Sequence, residues 1–246
     1  MVCVVIQQYN IYSEIVTFLK KRQKTYLGPA AVPEVCTKMR QTTKKGGIPI
    51  TAHDFYQNIF HLKDRDLIQE LTEQTTVRYM KKGEFIVRIG EVLNEIYFLE
   101  SGIIRGYLLD VNGKDVTDCF SFCRGAPVLP FCQMELNIPS PLTLEVLENS
   151  VFFCIPISAV SELQEKYQEI TMLYNRLLIH ALNEHWQLQQ ILNSYTAVQR
   201  YQWFLETYPG LIGKVKSMHI ASFLGMTPVT LSRLRRTLKE NSRQDS

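Results

Sequence analysis

The residues with the clearest chemistry lie between Met218 and Leu238, in the run HIASFLGMTPVTLSRLRRTL and the methionine before it. Ile220, Leu224, Met226, Leu231 and Leu234 recur at the spacing of two short helices packed across a tight turn. Ala221 is small where those helices must approach, and Gly225, four residues on, offers the positive φ that the turn needs. Thr227 is placed to cap the second helix, and Pro228 falls in its first turn, where a missing N–H removes no bond. The pattern is a helix-turn-helix. Its second helix turns Leu231, Leu234 and Leu238 inward and leaves Val229, Ser232, Arg233, Arg235, Arg236 and Lys239 outside. Side chains at the start of such a helix reach base edges in the major groove. Arg233 suits a two-pronged bond to guanine, Val229 a thymine methyl, and Ser232 completes the base-reading set. Thr227, Thr230, Arg235, Arg236 and Lys239 suit phosphate oxygens. A solvated basic helix in an ordinary bundle is the competing reading, and it does not account for the Ala221–Gly225 spacing.

No other chemistry competes. The sequence has no GxxxxGK[ST] phosphate loop, no HExxH, no GxSxG and no CxxC pair among its six cysteines. Glu84, Glu91, Asp110 and Asp115 are scattered at turns and read as solvated. Residues 77–156 contain no histidine, which argues against a cupin-like metal enzyme. His180 and His185 are five apart, off the spacing that sets two ligands on one helical face. Cys119 and Cys123 fall on one face of an expected strand and, with Cys132 and Cys154, read as core filler. The chain is expected to be no enzyme, with no cofactor and no catalytic or metal site.

The elements that must position this module form an α+β chain. From Asp54, Phe55, Ile59, Phe60, Leu62, Leu67, Ile68 and Leu71 suit short amphipathic helices. Between Val77 and Pro156 the period moves towards two, with candidate strands at 85–89, 96–100, 103–109, 115–122, 143–147 and 151–155. Turn signals separate them at Lys82-Gly83, Gly90, Ser101-Gly102 and Asn112-Gly113. Many short strands with glycine turns predict a β-barrel or jelly roll over 54–160. A long helix is expected over 161–194, its first segment capped by Ser161 with Gln164. Ile170, Tyr174, Leu177, Ala181, Leu188 and Ile191 form a stripe along it, wide enough for a partner helix in a homodimer. The helix-turn-helix unit then occupies 195–246. Residues 1–53, with Lys20, Lys21, Arg22 and Lys24 followed by Gly28, Pro29 and Pro33, read as a poorly ordered basic arm or a start-site extension.

Charge agrees with this division. The net charge is +3, but residues 1–48 carry +6, residues 49–194 carry −8, and residues 195–246 carry +5. A basic end on an acidic body suits a chain that meets a polyanion through one module. With 46% hydrophobic and 21% charged residues, a disordered chain is excluded, and no run of eighteen apolar residues spans a membrane. The expected setting is the cytoplasm, with reduced thiols.

These segments resemble the Crp/Fnr superfamily of bacterial transcription regulators, in its short-chain branch. KKGEFIVRIGEVLNEIYFLESGIIRGYLLDVNGKDVTDCFSF is similar to the first part of that family's cyclic-nucleotide-binding-like barrel. TAVQRYQWFLETYPGLI and SMHIASFLGMTPVTLSRLRRTL are similar to its carboxy-terminal domain. The resemblance implies a jelly roll, a dimerisation helix near 170–192 and a helix-turn-helix. It also implies double-stranded DNA, a second copy and RNA polymerase as partners. Three departures matter. Pro228 and Val229 stand where the family carries base-reading Arg and Glu, with Arg233 alone retained, and the chain ends soon after the second helix, with no room for a β-wing. Only Cys3 and Cys36 lie where the oxygen-sensing branch clusters cysteines for an iron–sulfur centre. Gly125-Ala126 and Pro141-Leu142 stand where cyclic-nucleotide binders place Gly-Glu and Arg-Ser/Thr. No Lys or Arg occurs between Ala126 and Ile157, so cyclic AMP is not the expected effector. The effector pocket expected instead is apolar, with Gly125, Val128, Leu129, Phe131 and Leu142. A small-molecule-binding barrel with a vestigial helix-turn-helix is the alternative.

Overall fold

The computed structural model describes residues 51–129 and 138–244. The first described helix opens on a cap. Thr51 Oγ1 accepts the Asp54 N–H at 3.1 Å, while the Asp54 carboxylate takes the Thr51 hydroxyl at 2.7 Å, fixing the start of α1 (Ala52–Asn58). Asp64 caps α2 (Arg65–Gln74) by accepting the N–H groups of Asp66 and Leu67. Phe55 of α1, Phe60 just beyond it, and Leu67 and Leu71 of α2 share a cluster with Phe98 and Phe153 of the sheet.

The sheet is antiparallel and contains β1 (Thr76–Met80), β2 (Phe85–Val87), β3 (Glu95–Leu109), β4 (Asp115–Ser121), β5 (Pro127–Val128) and β6 (Thr143–Pro156). β3 and β6 are long, pair with each other, and bend. The amino-terminal part of β3 also pairs with β5 and its carboxy-terminal part with β4; β6 likewise pairs first with β2 and then with β1. Two long strands that change partners midway roll the sheet on itself.

The expected turn at Ser101-Gly102 is absent. β3 runs straight through it, with register shifts against β6 between Leu99 and Ile104. Gly102, at φ +120°, absorbs the bulge where Ser150 of β6 presses so close that a Cβ would overlap its hydroxyl and backbone. The expected break between 147 and 151 is absent for the same reason, because Ser150 belongs to the continuous β6. The Asn112-Gly113 hairpin is present. Asp110 accepts the N–H groups of Asn112 and Lys114 at 2.8 and 2.9 Å, and Gly113 takes φ +76°.

Inside the roll, Val87, Tyr97, Leu99, Ile104, Val146, Phe152 and Cys154 pack together; Ile96, Phe98, Phe153 and Ile155 face outward to the helices. Cys154 is a free thiol pushed up to about 12 by burial, as is Cys119 on β4, so both are unreactive filler. Cys123 departs from the expectation twice: it lies beyond the end of β4, and it is disulfide-bonded.

The helical segment is two helices. α3 (Ile157–Lys166) starts directly after Pro156, so Ser161 does not cap it; its hydroxyl donates to the Ile157 carbonyl at 3.0 Å inside the helix. Tyr167 is extended and breaks the path, its hydroxyl bonded to Glu70 of α2. α4 (Gln168–Ser194) then runs 27 residues.

The predicted stripe on α4 faces the protomer's own body, which corrects the dimer assignment. Ile170 is buried against the helices of the roll, where Leu177 joins it, and Ile191 and Leu188 pack on the carboxy-terminal helices. Tyr174 and Ala181 line a cavity between them. Further round the helix lie exposed apolar residues: Met172, Ile179, Leu182 and Trp186, each 59–67% exposed, with Leu182 also at the edge of the cavity. Met172, Ile179 and Trp186 are seven apart, with Leu182 between the last two, which is a narrow heptad seam.

Candidate nucleic-acid interface

After α4, Thr196 and Gln199 form a capping box that starts α5 (Ala197–Thr207). α6 (Ser217–Phe223) and α7 (Pro228–Gln244) follow and form the helix-turn-helix. Ala221 is fully buried between them, and Gly225 turns the chain at φ +60°. Arg200 of α5 donates to the Leu224 carbonyl at 2.7 Å and holds that turn, a contact between distant positions that no local pattern announces. Thr227 caps α7 by accepting the Thr230 N–H at 3.1 Å, and the two hydroxyls lie 2.9 Å apart.

The outward face of α7 carries Val229, Ser232, Arg233 and Arg236. Arg233 has no side-chain partner among the described residues, whereas Arg236 lies 3.8 Å from Glu240 one turn on. Arg235 does not join them. Its Nε donates to the Tyr201 hydroxyl at 3.0 Å and its Nη1 to Ser217 at 2.6 Å, clamping α7 to α5 and α6. The expectation of a phosphate ligand there is corrected to a brace, because position 235 turns back along the helix towards the module's core. Lys239 lies on the helix, its side chain outside the described residues.

The module is docked on the roll. Phe120 meets Phe204 and Phe223 edge to face at 6.5 and 5.2 Å, and Phe122 meets Tyr208 at 5.6 Å. Beside them the Thr117 N–H donates to Ser222 at 2.9 Å. Arg105 on β3, only 1% exposed, reaches Asp115 at 2.9 Å, Glu145 at 3.3 Å and Thr117 at 2.9 Å. Such a buried cation persists because it is paired on several sides.

His219 of α6 lies in this junction. Its Nδ1 is buried with no partner among the described residues, and burial, then the Arg105 charge, push the imidazole down from 6.5 to about 4. A depressed folded-state value means that the unfolded chain takes up the proton first as pH falls. The contribution of neutral His219 is therefore whole above about pH 6.5 and is lost by about pH 4, on the order of 3 kcal/mol. Urea midpoints at pH 7.5, 5.5 and 4.5 are expected to fall more steeply in the parent than in His219→Gln. Parallel curves would contradict this.

The cavity lies where the sheet, α4 and the carboxy-terminal helices meet, and has a volume of about 360 Å³. Gly125, Leu129 and Leu142 of the predicted pocket line it. Val128 does not: it is 2% exposed and packs inside the roll. Phe131 lies outside the described residues. The walls from α4 and α5, Trp203 among them, went unpredicted because they come from far along the chain.

Residues 77–167 match the cyclic nucleotide-binding domain family. The transcriptional activator Anr of Pseudomonas protegens is 22% identical over 192 residues, covering 74% of this chain and 77% of that protein. The anaerobic regulatory protein of Pasteurella multocida is 22% identical over 213 residues, covering 80% and 77%. Among solved structures, FixK2 from Bradyrhizobium japonicum superposes with a TM-score of 0.60 at 19% identity, over 68% of this chain and 86% of that one. The c-di-GMP responsive regulator CLP of Xanthomonas campestris gives 0.60 at 13% identity, over 73% and 93%. A cyclic nucleotide-binding-type roll joined through a long helix to a helix-turn-helix is the class these elements define. Residues 77–167 belong to the cyclic nucleotide-binding domain family, and over most of its length the chain is similar, at 22% identity, to transcription regulators built this way.

Proposed function

We propose that the protein binds duplex DNA in the cytoplasm as a homodimer and regulates transcription there, in contact with RNA polymerase. Its units are a roll over 54–160, a connecting helix over 161–194 and a DNA-binding module over 195–246. The observation that carries this reading is Arg233, exposed and without a side-chain partner among the described residues, beside Val229 and Ser232 on the outer face of a capped second helix. Those three read base edges, while Thr227, Thr230, Arg236 and Lys239 hold phosphates. Arg235 braces the helix that presents them.

The second copy docks along Met172, Ile179, Leu182 and Trp186, an apolar band that an isolated protomer leaves in water. A parallel two-fold pair of α4 helices sets two recognition helices about 34 Å apart, one DNA turn, so the operator is a short pseudo-palindrome.

Arg233→Ala is expected to lower affinity for the selected site by about 1–3 kcal/mol, with little change on random duplex. Arg236→Ala weakens both alike and reduces the salt slope by about one unit. Titrations of both variants at several salt concentrations check this, and equal behaviour of the two would reverse the assigned roles.

Cyclic AMP does not fit the roll. The cluster filling its interior is chiefly aliphatic and aromatic, and Gly125-Ala126 offers no carboxylate to a ribose. Arg124, the cation next to that position, is paired with Glu100. An unpaired buried phosphate costs several kcal/mol, enough to cancel micromolar binding. Calorimetry with cyclic AMP is expected to show no heat of binding at micromolar nucleotide; a micromolar Kd would contradict this.

A further inference from the structure

We propose that the cavity between the sheet, α4 and the helix-turn-helix is a binding site for an uncharged, largely apolar molecule carrying one hydrogen-bond acceptor, such as a hydroxyl or carbonyl. This goes beyond the DNA-binding reading and does not depend on it. The cavity's size falls within the range of small-molecule sites, roughly 300–1,000 Å³. It lies outside the packed interior of the roll, whose cluster reaches it only through Leu142. On β3 its walls are Ile96 and Phe98, whereas the alternate residues Tyr97 and Leu99 point into the roll. Tyr174 and Leu177 of α4 line it too, with Tyr208 and Phe223 from the carboxy-terminal helices and their flanks.

Three observations define the ligand class. The lining is chiefly aliphatic and aromatic, so an apolar body replaces contacts that an empty space forfeits. Among the described residues no Lys or Arg lines it, while Asp118 and Glu184 do, with His180 and His185 beside them. Burial already pushes the Asp118 carboxyl up, opposed by His185, so a second negative charge is unwelcome there. The acceptor is called for by Trp203. This side chain lines the cavity at 5% exposure, and its indole N–H is buried with no hydrogen-bond partner among the described residues. A buried unpaired donor is rare and is relieved by an incoming oxygen.

The chain contains two tryptophans, so Trp186→Phe leaves Trp203 as a local reporter. With that variant at pH 8 and no DNA present, 1-octanol and octanoate serve as probes matched in length and differing in charge. Octanol is expected to change Trp203 emission saturably, with octanoate at least about tenfold weaker, equivalent to about 1.4 kcal/mol. Ala181→Phe, which fills the cavity from α4, is expected to abolish the octanol response while the melting transition persists. Asp118→Asn with Glu184→Gln is expected to bring octanoate within about threefold of octanol, as removal of the charge penalty requires. Octanoate binding as tightly as octanol, no saturable octanol response, an undiminished response in folded Ala181→Phe, or an unchanged gap in the double variant would each overturn the proposal.

Discussion

Ile179→Asp combined with Leu182→Asp is expected to convert the protein to a monomer at micromolar concentration without unfolding it. Both side chains are 59% exposed on the isolated protomer, so a carboxylate there meets water and the fold is spared. In the pair of α4 helices each substitution appears twice, opposite its own copy near the two-fold axis. Burying such charges without partners costs at least about 4 kcal/mol per dimer, on the order of a thousandfold in Kd. Leu177→Asp supplies the contrast. Leu177 packs against the protomer's own cluster around Ile170 and Leu173, so its change is expected to lower the melting temperature rather than split the dimer. Light scattering with a parallel thermal melt separates the two. A dimeric double variant, or a monomeric and fully stable Leu177→Asp, would place the interface on the other face of α4.

Phe204→Ala is expected to have the second large effect, about 3–5 kcal/mol of lost stability. Phe204 is fully buried, stacked on Tyr208 at 5.1 Å and edge-on to Phe120 and Phe223. Phe120 belongs to the roll and Phe223 to the helix-turn-helix, so the cavity opens at the joint between them. A melting temperature lower by about 10 °C is expected for a chain of this size. Phe204→Leu keeps most of the volume and costs under about 1.5 kcal/mol. A Phe204→Ala protein as stable as the parent would mean that the two units are not coupled through this cluster.

The helix-turn-helix was legible because its determinants are local. Ala221, Gly225, Thr227 and Pro228 act within a few residues of one another, and the structure uses Ala221, Gly225 and Thr227 in the roles their spacing suggests. The strands were legible as alternating runs, but a bulge reads as a turn when Gly102 and its partner Ser150 are considered separately. β1 was missed because Val77 and Tyr79 are exposed and supply no inward face.

The faces of α4 show a deeper limit. Ile170, Leu177 and Leu188 form one apolar stripe, and Met172, Ile179, Leu182 and Trp186 form another further round the helix. The sequence reading picks out only the first, and periodicity alone cannot say which of the two faces the roll. That depends on Phe60, Phe98 and Phe223 arriving from elsewhere in the chain. Arg235 carries the same lesson, since only Tyr201 and Ser217 turn a basic residue on a recognition helix into a brace.

Selection of bound duplexes from a random-sequence pool by the purified full chain tests the central claim most directly. The account predicts an enriched pseudo-palindrome with half-site centres about 10 base pairs apart, whose affinity falls steeply with salt. Its half-site specificity is expected to weaken at one guanine in Arg233→Ala. A pool with no enriched sequence, or with a single asymmetric site unaffected by Arg233→Ala, would contradict it.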